Sequence, residues 1–186
     1  LITYVLPGLM TQLGISSPIH GMLVMSGRVM IVGMYLLLHF TGFWRYRLLP
    51  ALLTQVVAMV GLVVLSQAVA VPWLTVGVVL LGVMMGYSYF SSIFYSTTGF
   101  SERRRGLASG IHEATLALGN TTGSLGGGYL ASVLGMRAPF QWSIGVLAVS
   151  AVVQLAGFAV FRWRTGSLGP ATPPSTGAAA PPATRP

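Results

Sequence analysis

The sequence predicts an all-α polytopic membrane bundle, and three observations carry that prediction. Only 6% of the residues are charged and 54% are hydrophobic, with a mean hydropathy of +0.78; soluble chains average about a quarter charged residues. Residues 48–101 and 138–161 contain no Lys, Arg, Asp or Glu, and a helix crossing a hydrocarbon core of about 30 Å needs roughly 20 apolar residues in succession. The apolar runs do not alternate with polar residues over about ten positions, as the strands of a membrane β-barrel would.

Spans are expected at about 1–13, 18–41, 48–67, 72–98, 104–134 and 139–161, five of them full and the first cut short. Pro18, Pro50, Pro72 and Pro139 stand near four of the starts, where a fixed φ and a missing N–H do least harm to a helix. The chain opens at Leu1 inside an apolar stretch, with no charged leader and no cleavage site, which predicts an N-terminally truncated fragment. Beyond Thr165 the composition turns to Pro, Ala, Gly, Ser and Thr, and six of the 11 prolines lie between Pro170 and Pro186. Such a segment, 165–186, cannot bury a core and is expected to be a disordered tail. With no cysteine there is no disulfide framework and no thiolate metal site; neither a metal nor a cofactor is expected.

Arginine supplies all ten basic charges. Arg45, Arg47, Arg103, Arg104, Arg105, Arg162, Arg164 and Arg185 fall in alternate connections and the tail, whereas the opposite set holds only Arg137. The positive-inside rule then predicts a cytoplasmic C-terminus and cytoplasmic 42–47 and 99–105 loops, in the plasma (inner) membrane of a bacterium. The net charge of +8 is thus a topology signal first and a contact with anionic lipid headgroups second. Arginines split among short loops do not make a nucleic-acid surface.

Six spans, a short basic loop before a glycine-laden fifth span, and a last span ending in "FRWR" together resemble the C-terminal half of a major facilitator superfamily transporter. The resemblance covers nearly all of residues 1–164 and is strongest over "RRRGLASGIHEATLALGNTTGSLGGGYLA", which resembles the tenth-to-eleventh connection and eleventh helix of that family. The loop "TGFWRYR" keeps Gly42, Arg45 and Arg47 of the family's Gly-x-x-x-Asp-Arg-x-Gly-Arg-Arg signature and lacks its acidic residue. The resemblance implies a secondary transporter moving a small solute by alternating access, with a missing N-terminal bundle as partner and protons as a candidate coupling ion.

The costly polar residues mark the candidate sites. Glu113, one of two acidic residues, lies about 13 Å into the fifth span at 1.5 Å per residue, and an intramembrane acid is a candidate for ion coupling or for a gate. Its neighbour His112 is offset by about 100°, and Arg103, Arg104 and Arg105 precede both at the expected gate. Arg28, near the middle of the second span, is expected to face the bundle interior or a cavity, paired with a carboxylate of the missing half, an anionic solute or Glu113. Tyr87, Ser88, Ser91, Ser92 and Tyr95 recur every three or four residues and are either a cavity lining or interhelical hydrogen-bonding groups. Asn120, two turns after Glu113, extends the polar path. Gly82/Gly86, Gly106/Gly110 and Gly119/Gly123/Gly127 form small-residue ridges suited to close helix packing.

Other classes fit less well. "GLASGIH" is superficially similar to the Gly-x-Ser-Gly box of intramembrane serine proteases, but the leading glycine is absent and His112 follows Ser109 on the same helix, so no nucleophile-base pair forms across helices. A half-size homodimerising protein or a non-transport scaffold is the remaining alternative.

Overall fold

A computed structural model describes the backbone of residues 2–98 and 102–166 and the side chains of 4–98 and 104–163. The expected gate role of Arg103 and the expected tail beyond residue 166 lie outside the described side chains and residues. The chain divides into two units, Leu1–Ala151 and Val152–Pro186. All described regular structure is helical: α1 (Ile2–Gln12), α2 (Ser17–Phe40), α3 (Leu48–Gln67), α4 (Val71–Thr98), α5 (Glu102–Leu134) and α6 (Ala138–Gly166).

Local chemistry sets these limits. Pro18, Pro50, Pro72 and Pro139 fall in the first turns of α2, α3, α4 and α6, where their missing N–H would have had no intrahelical acceptor. Gly14 and Gly135 follow α1 and α5 at φ +67° and +93°, a left-handed conformation that ends helices and that a Cβ resists.

α2, α3, α4 and the Ala138–Trp163 part of α6 are long and apolar enough to cross a membrane. α5, at 33 residues, has ample length for a span but is less apolar than these four. The reason is its content of Gly, Ser, Thr and Asn with His112 and Glu113; such a helix gains little from lipid on every side and fits where part of its circumference is shielded.

Within the first unit α4 is the hub, packed against α2, α3 and α5, while α1 meets α5. The main core joins Leu6 and Leu9 of α1, Leu23 of α2, Leu62 and Leu65 of α3, Leu74 and Val78 of α4, and Phe140 of α6. Glycine makes the two closest crossings possible, because lipid supplies little drive for association and dispersion contacts between near backbones must provide it. A Cβ on Gly82 would stand 2.8 Å from the Gly27 carbonyl oxygen, and one on Gly86 would stand 3.0 Å from that of Ile31. At the α3–α4 crossing, a Cβ on Gly61 would lie 2.9 Å from the Gly77 carbonyl oxygen. Gly82→Val is therefore expected to force α2 and α4 apart and lower the unfolding free energy by about 1–3 kcal/mol. Thermal unfolding in detergent reads this, with Gly123→Ala as the reference because its Cβ would meet nothing within 4 Å; equal midpoints for the two variants would refute the tight crossing.

In the second unit α6 continues from Val152, and Val153, Phe158, Phe161 and Trp163 are exposed along it.

Candidate functional site

The polar side chains of the first unit gather along α2, α4 and α5. On α2 the residues His20, Val24, Gly27, Arg28 and Ile31 share one side of a cavity of about 220 Å³, closed on the α4 side by Val78, Gly82 and Met85. Helical spacing places them on one face, and Tyr35 extends that face a turn further. A separate strip of α2, with Met22, Met25, Val29, Val32 and Leu36 exposed, is wholly apolar. Arg28 is exposed and forms no ion pair with Glu113, which removes one of its three expected partners.

Aromatic stacking continues the line onto α4. Tyr35 stacks on Tyr89 with ring centroids 6.0 Å apart, and Tyr89 in turn lies 6.0 Å from the His112 ring of α5. Ser92 Oγ is 3.2 Å from His112 Nε2, a hydrogen bond whose direction follows the imidazole tautomer. This junction is the point where polar groups of α4 and α5 meet, and it holds half-buried His112 in one orientation.

The expected stripe on α4 does not run as one line. Tyr87 and Ser91 are buried, with Tyr87 packed against Leu38 and Trp44 and Ser91 Oγ donating to the Ser88 carbonyl at 3.2 Å. Ser88 is exposed, Ser92 turns to His112, and the Tyr95 hydroxyl accepts the Tyr46 N–H at 2.8 Å. A spacing of three and four fits two adjacent faces, and the packing of α2 and of the 41–47 loop decides which face is interior.

α5 has three distinct sides. Leu107, Ile111, Leu118 and Leu125 are exposed and apolar. His112, Gly123, Gly126 and Leu130 turn to α4, where Asn120, Gly123, Gly126, Gly127 and Leu130 line a cavity of about 510 Å³ with Met84, Met85, Trp142 and Ser143. Glu113 stands about 140° around the helix from the apolar strip and about 100° from His112 at 3.6 residues per turn, beside Gly106, Ala117 and Ser124. It is exposed, as are Gly106, Gly110, Gly119 and Gly123, and a Cβ on any of those four glycines would meet nothing within 4 Å. Within this chain those glycines open space, whereas Gly82 and Gly86 close it.

Each end of the helices carries a basic clasp. In the 41–47 loop Trp44 is fully buried, and its indole Nε1–H is shared between the carbonyls of Leu38 and Thr41, both at 2.9 Å, which caps the end of α2. Phe94 and Phe90 of α4 meet the ring edge-on at 5.0 and 5.7 Å. Arg45 lies 5.2 Å over Phe94 and 5.8 Å over Trp44, contacts favoured by the negative face of the ring. Tyr46 adopts φ 57°, unusual for a bulky residue, with its N–H held by Tyr95. Arg104 and Arg105, at the start of α5, are exposed. At the opposite ends of the helices Arg137 donates to the carbonyls of Ser66 and Ala68 at 3.1 and 3.2 Å, satisfying the last acceptors of α3. Among the described residues no three His, Cys, Asp or Glu side chains converge as a metal site.

Sequence reasoning missed His20, Tyr35, Tyr89 and Trp44. The first two were open to it, since His20, Arg28 and Tyr35 share a helical face; Tyr89 and Trp44 depend on contacts between helices.

Apolar helices long enough to span, small-residue crossings and a polar line confined to one region define a polytopic helical membrane protein. The profile of the Major Facilitator Superfamily matches residues 1–185, and the chain belongs to that family. No curated protein and no solved structure matches it.

Proposed function

We propose that this chain forms the C-terminal helical bundle of a secondary transporter that moves a small solute by alternating access, working against a companion bundle of the same protein. The observation that carries the reading is the polar line His20, Arg28, Tyr35, Tyr89, His112 along α2, α4 and α5, set apart from the apolar strips that suit lipid. Helix faces bearing ionisable groups in a membrane belong against protein or a water-filled path, and a solute path between two bundles meets that need. Arg28, Ser88 and Asn120 then border the path, with Tyr87, Ser91 and Tyr95 fixing the helix that carries it.

The arginine-rich end is the cytoplasmic one in this reading, by the excess of arginine in its loops, so the C-terminus is cytoplasmic and Arg103, Arg104 and Arg105 flank the gate. Gly106 and Gly110, left open within this chain on the side of α5 that carries Glu113, offer the smooth surface along which the companion bundle rocks. Glu113 faces that surface and is the coupling acid, with a proton as the coupled ion and His112 positioned beside it.

The full-length protein is expected to drive saturable uptake or extrusion of labelled solute in membrane vesicles, and a protonophore is expected to abolish it. Flux that rises linearly with concentration and ignores the protonophore would remove the transporter reading. Lipid or peptide turnover abolished by Ser109→Ala would replace it with a hydrolase.

A further inference from the structure

We infer that the arginine-rich end of the bundle holds a site for one anionic phospholipid, with its phosphate on Arg47 and the upper part of an acyl chain in the cleft between α2 and α3. A cavity of about 310 Å³ lies there, walled by Met34 and Leu38 of α2, Phe43 of the connecting loop and Leu49 and Leu53 of α3, and bordered by Arg47. The two helices pack mainly on α4 rather than on each other, so a cleft remains between them. Arg47 is exposed as well as lining the cavity, which places it at the mouth. The loop fixes its backbone there, because Trp44 is buried and caps α2. Arg45 is taken up by the Trp44 and Phe94 rings, whereas Arg47 has no ion-pair partner among the described residues.

The charge pattern selects the headgroup. Residues 1–101 contain no Asp or Glu, so nothing on α1 to α4 pairs with the ammonium of a zwitterionic lipid, whereas a basic pocket between spans at headgroup level suits an anionic one. This end is the cytoplasmic one in the reading above, and anionic lipid is concentrated in that leaflet. α3 opens after Arg47 with no side-chain cap on its first turn, and its positive N-terminal dipole adds to the attraction. The walls select a chain. From Thr41 back to Met34, and from Leu48 on to Thr54, the cleft reaches about 9–10 Å below the loop at 1.5 Å per residue, past the headgroup layer and into hydrocarbon. Lipid rather than the companion bundle fills it, because Leu49 and Leu53 continue along α3 as Val56, Val60 and Val63, an exposed strip at spacings of three and four with no polar side chain, on a helix that carries none of the polar line.

The test uses the full-length protein in a neutral detergent, with the thermal midpoint titrated against dioleoylphosphatidylglycerol, dioleoylphosphatidylcholine and glycerol 3-phosphate. Phosphatidylglycerol is expected to raise the midpoint saturably, while the choline lipid with the same chains and the chain-free headgroup leave it unchanged. Arg47→Gln is expected to weaken the phosphatidylglycerol affinity about fivefold, the loss of one arginine's attraction at a membrane surface, and Arg47→Lys to recover most of it. Leu53→Trp keeps every charge but fills the cleft, so it too is expected to weaken the lipid. Arg105→Gln removes an exposed arginine that does not border the cavity and is expected to leave the affinity unchanged. Equal effects of the two lipids, a midpoint raised by glycerol 3-phosphate alone, an Arg105→Gln loss as large as that of Arg47→Gln, or a Leu53→Trp protein that binds phosphatidylglycerol like the parent would each overturn the inference. A Leu53→Trp protein destabilised with no lipid selectivity in the parent would assign the cleft to the companion bundle and overturn it as well. Should Arg47→Gln fail to fold, the parent's lipid selectivity with Arg47→Lys and Leu53→Trp decides alone. None of these readouts involves flux, so the lipid site and the transport reading stand or fall separately.

Discussion

Glu113→Gln is expected to abolish uphill solute movement driven by a proton gradient while leaving solute exchange intact. Glutamine keeps the size and hydrogen-bonding shape of the side chain but has no proton to bind and release, so a coupled step loses its carrier while the solute path persists. The geometry favours Glu113 over His112 for this role. His112 is engaged by Ser92 at 3.2 Å and lies against Tyr89, whereas Glu113 is exposed on the small-residue side of α5, away from both α4 and the apolar strip. Counterflow and gradient-driven accumulation measured in the same proteoliposomes separate the two functions. Undiminished accumulation by the variant would take Glu113 out of coupling and leave it a structural residue of the gate; His112→Gln, with a smaller expected effect on the same readouts, checks that the distinction between the neighbours is real.

Trp44→Ala is expected to destabilise the bundle by about 3–5 kcal/mol, the range for removing a large aromatic ring from a packed site. Three losses coincide there. A cavity opens among Leu38, Tyr87, Phe90 and Phe94 with Met34 beside it, the Leu38 and Thr41 carbonyls lose their shared donor, and Arg45 loses one of its two aromatic seats. Trp44→Phe keeps a ring and loses only the N–H, so its cost should be about 1 kcal/mol. Chemical or thermal unfolding of both variants in one detergent makes the comparison, and a Trp44→Ala protein no less stable than Trp44→Phe would show that the indole only covers the loop. Because this clasp ties the end of α2 to α4, its loss is also expected to loosen the packing that orients Tyr87 and Tyr95.

The helical character of the protein was plain in its residues because hydrocarbon permits few alternatives: uncharged runs must satisfy their backbone internally, and a helix does so alone. Proline in the first turns acts locally, so it too was readable. The Gly, Ser, Thr and Asn content of α5 belongs to a helix shielded along part of its surface, and which part is shielded was not readable from spacing.

What the residues alone determined is the class of the protein, its helices, its asymmetry of arginine and the rarity of its intramembrane charges, all consequences of the solvent acting on each segment separately. Only the tertiary structure decided which glycines close a crossing and which leave space, that Tyr87 and Ser91 turn inward while Ser92 meets His112, that Arg28 and Glu113 remain apart, and that Trp44 and Arg137 cap distant carbonyls. Those outcomes depend on the rotation of one helix against another, set by interlocking side chains far apart in the chain, and residue spacing within a single helix carries no record of that rotation.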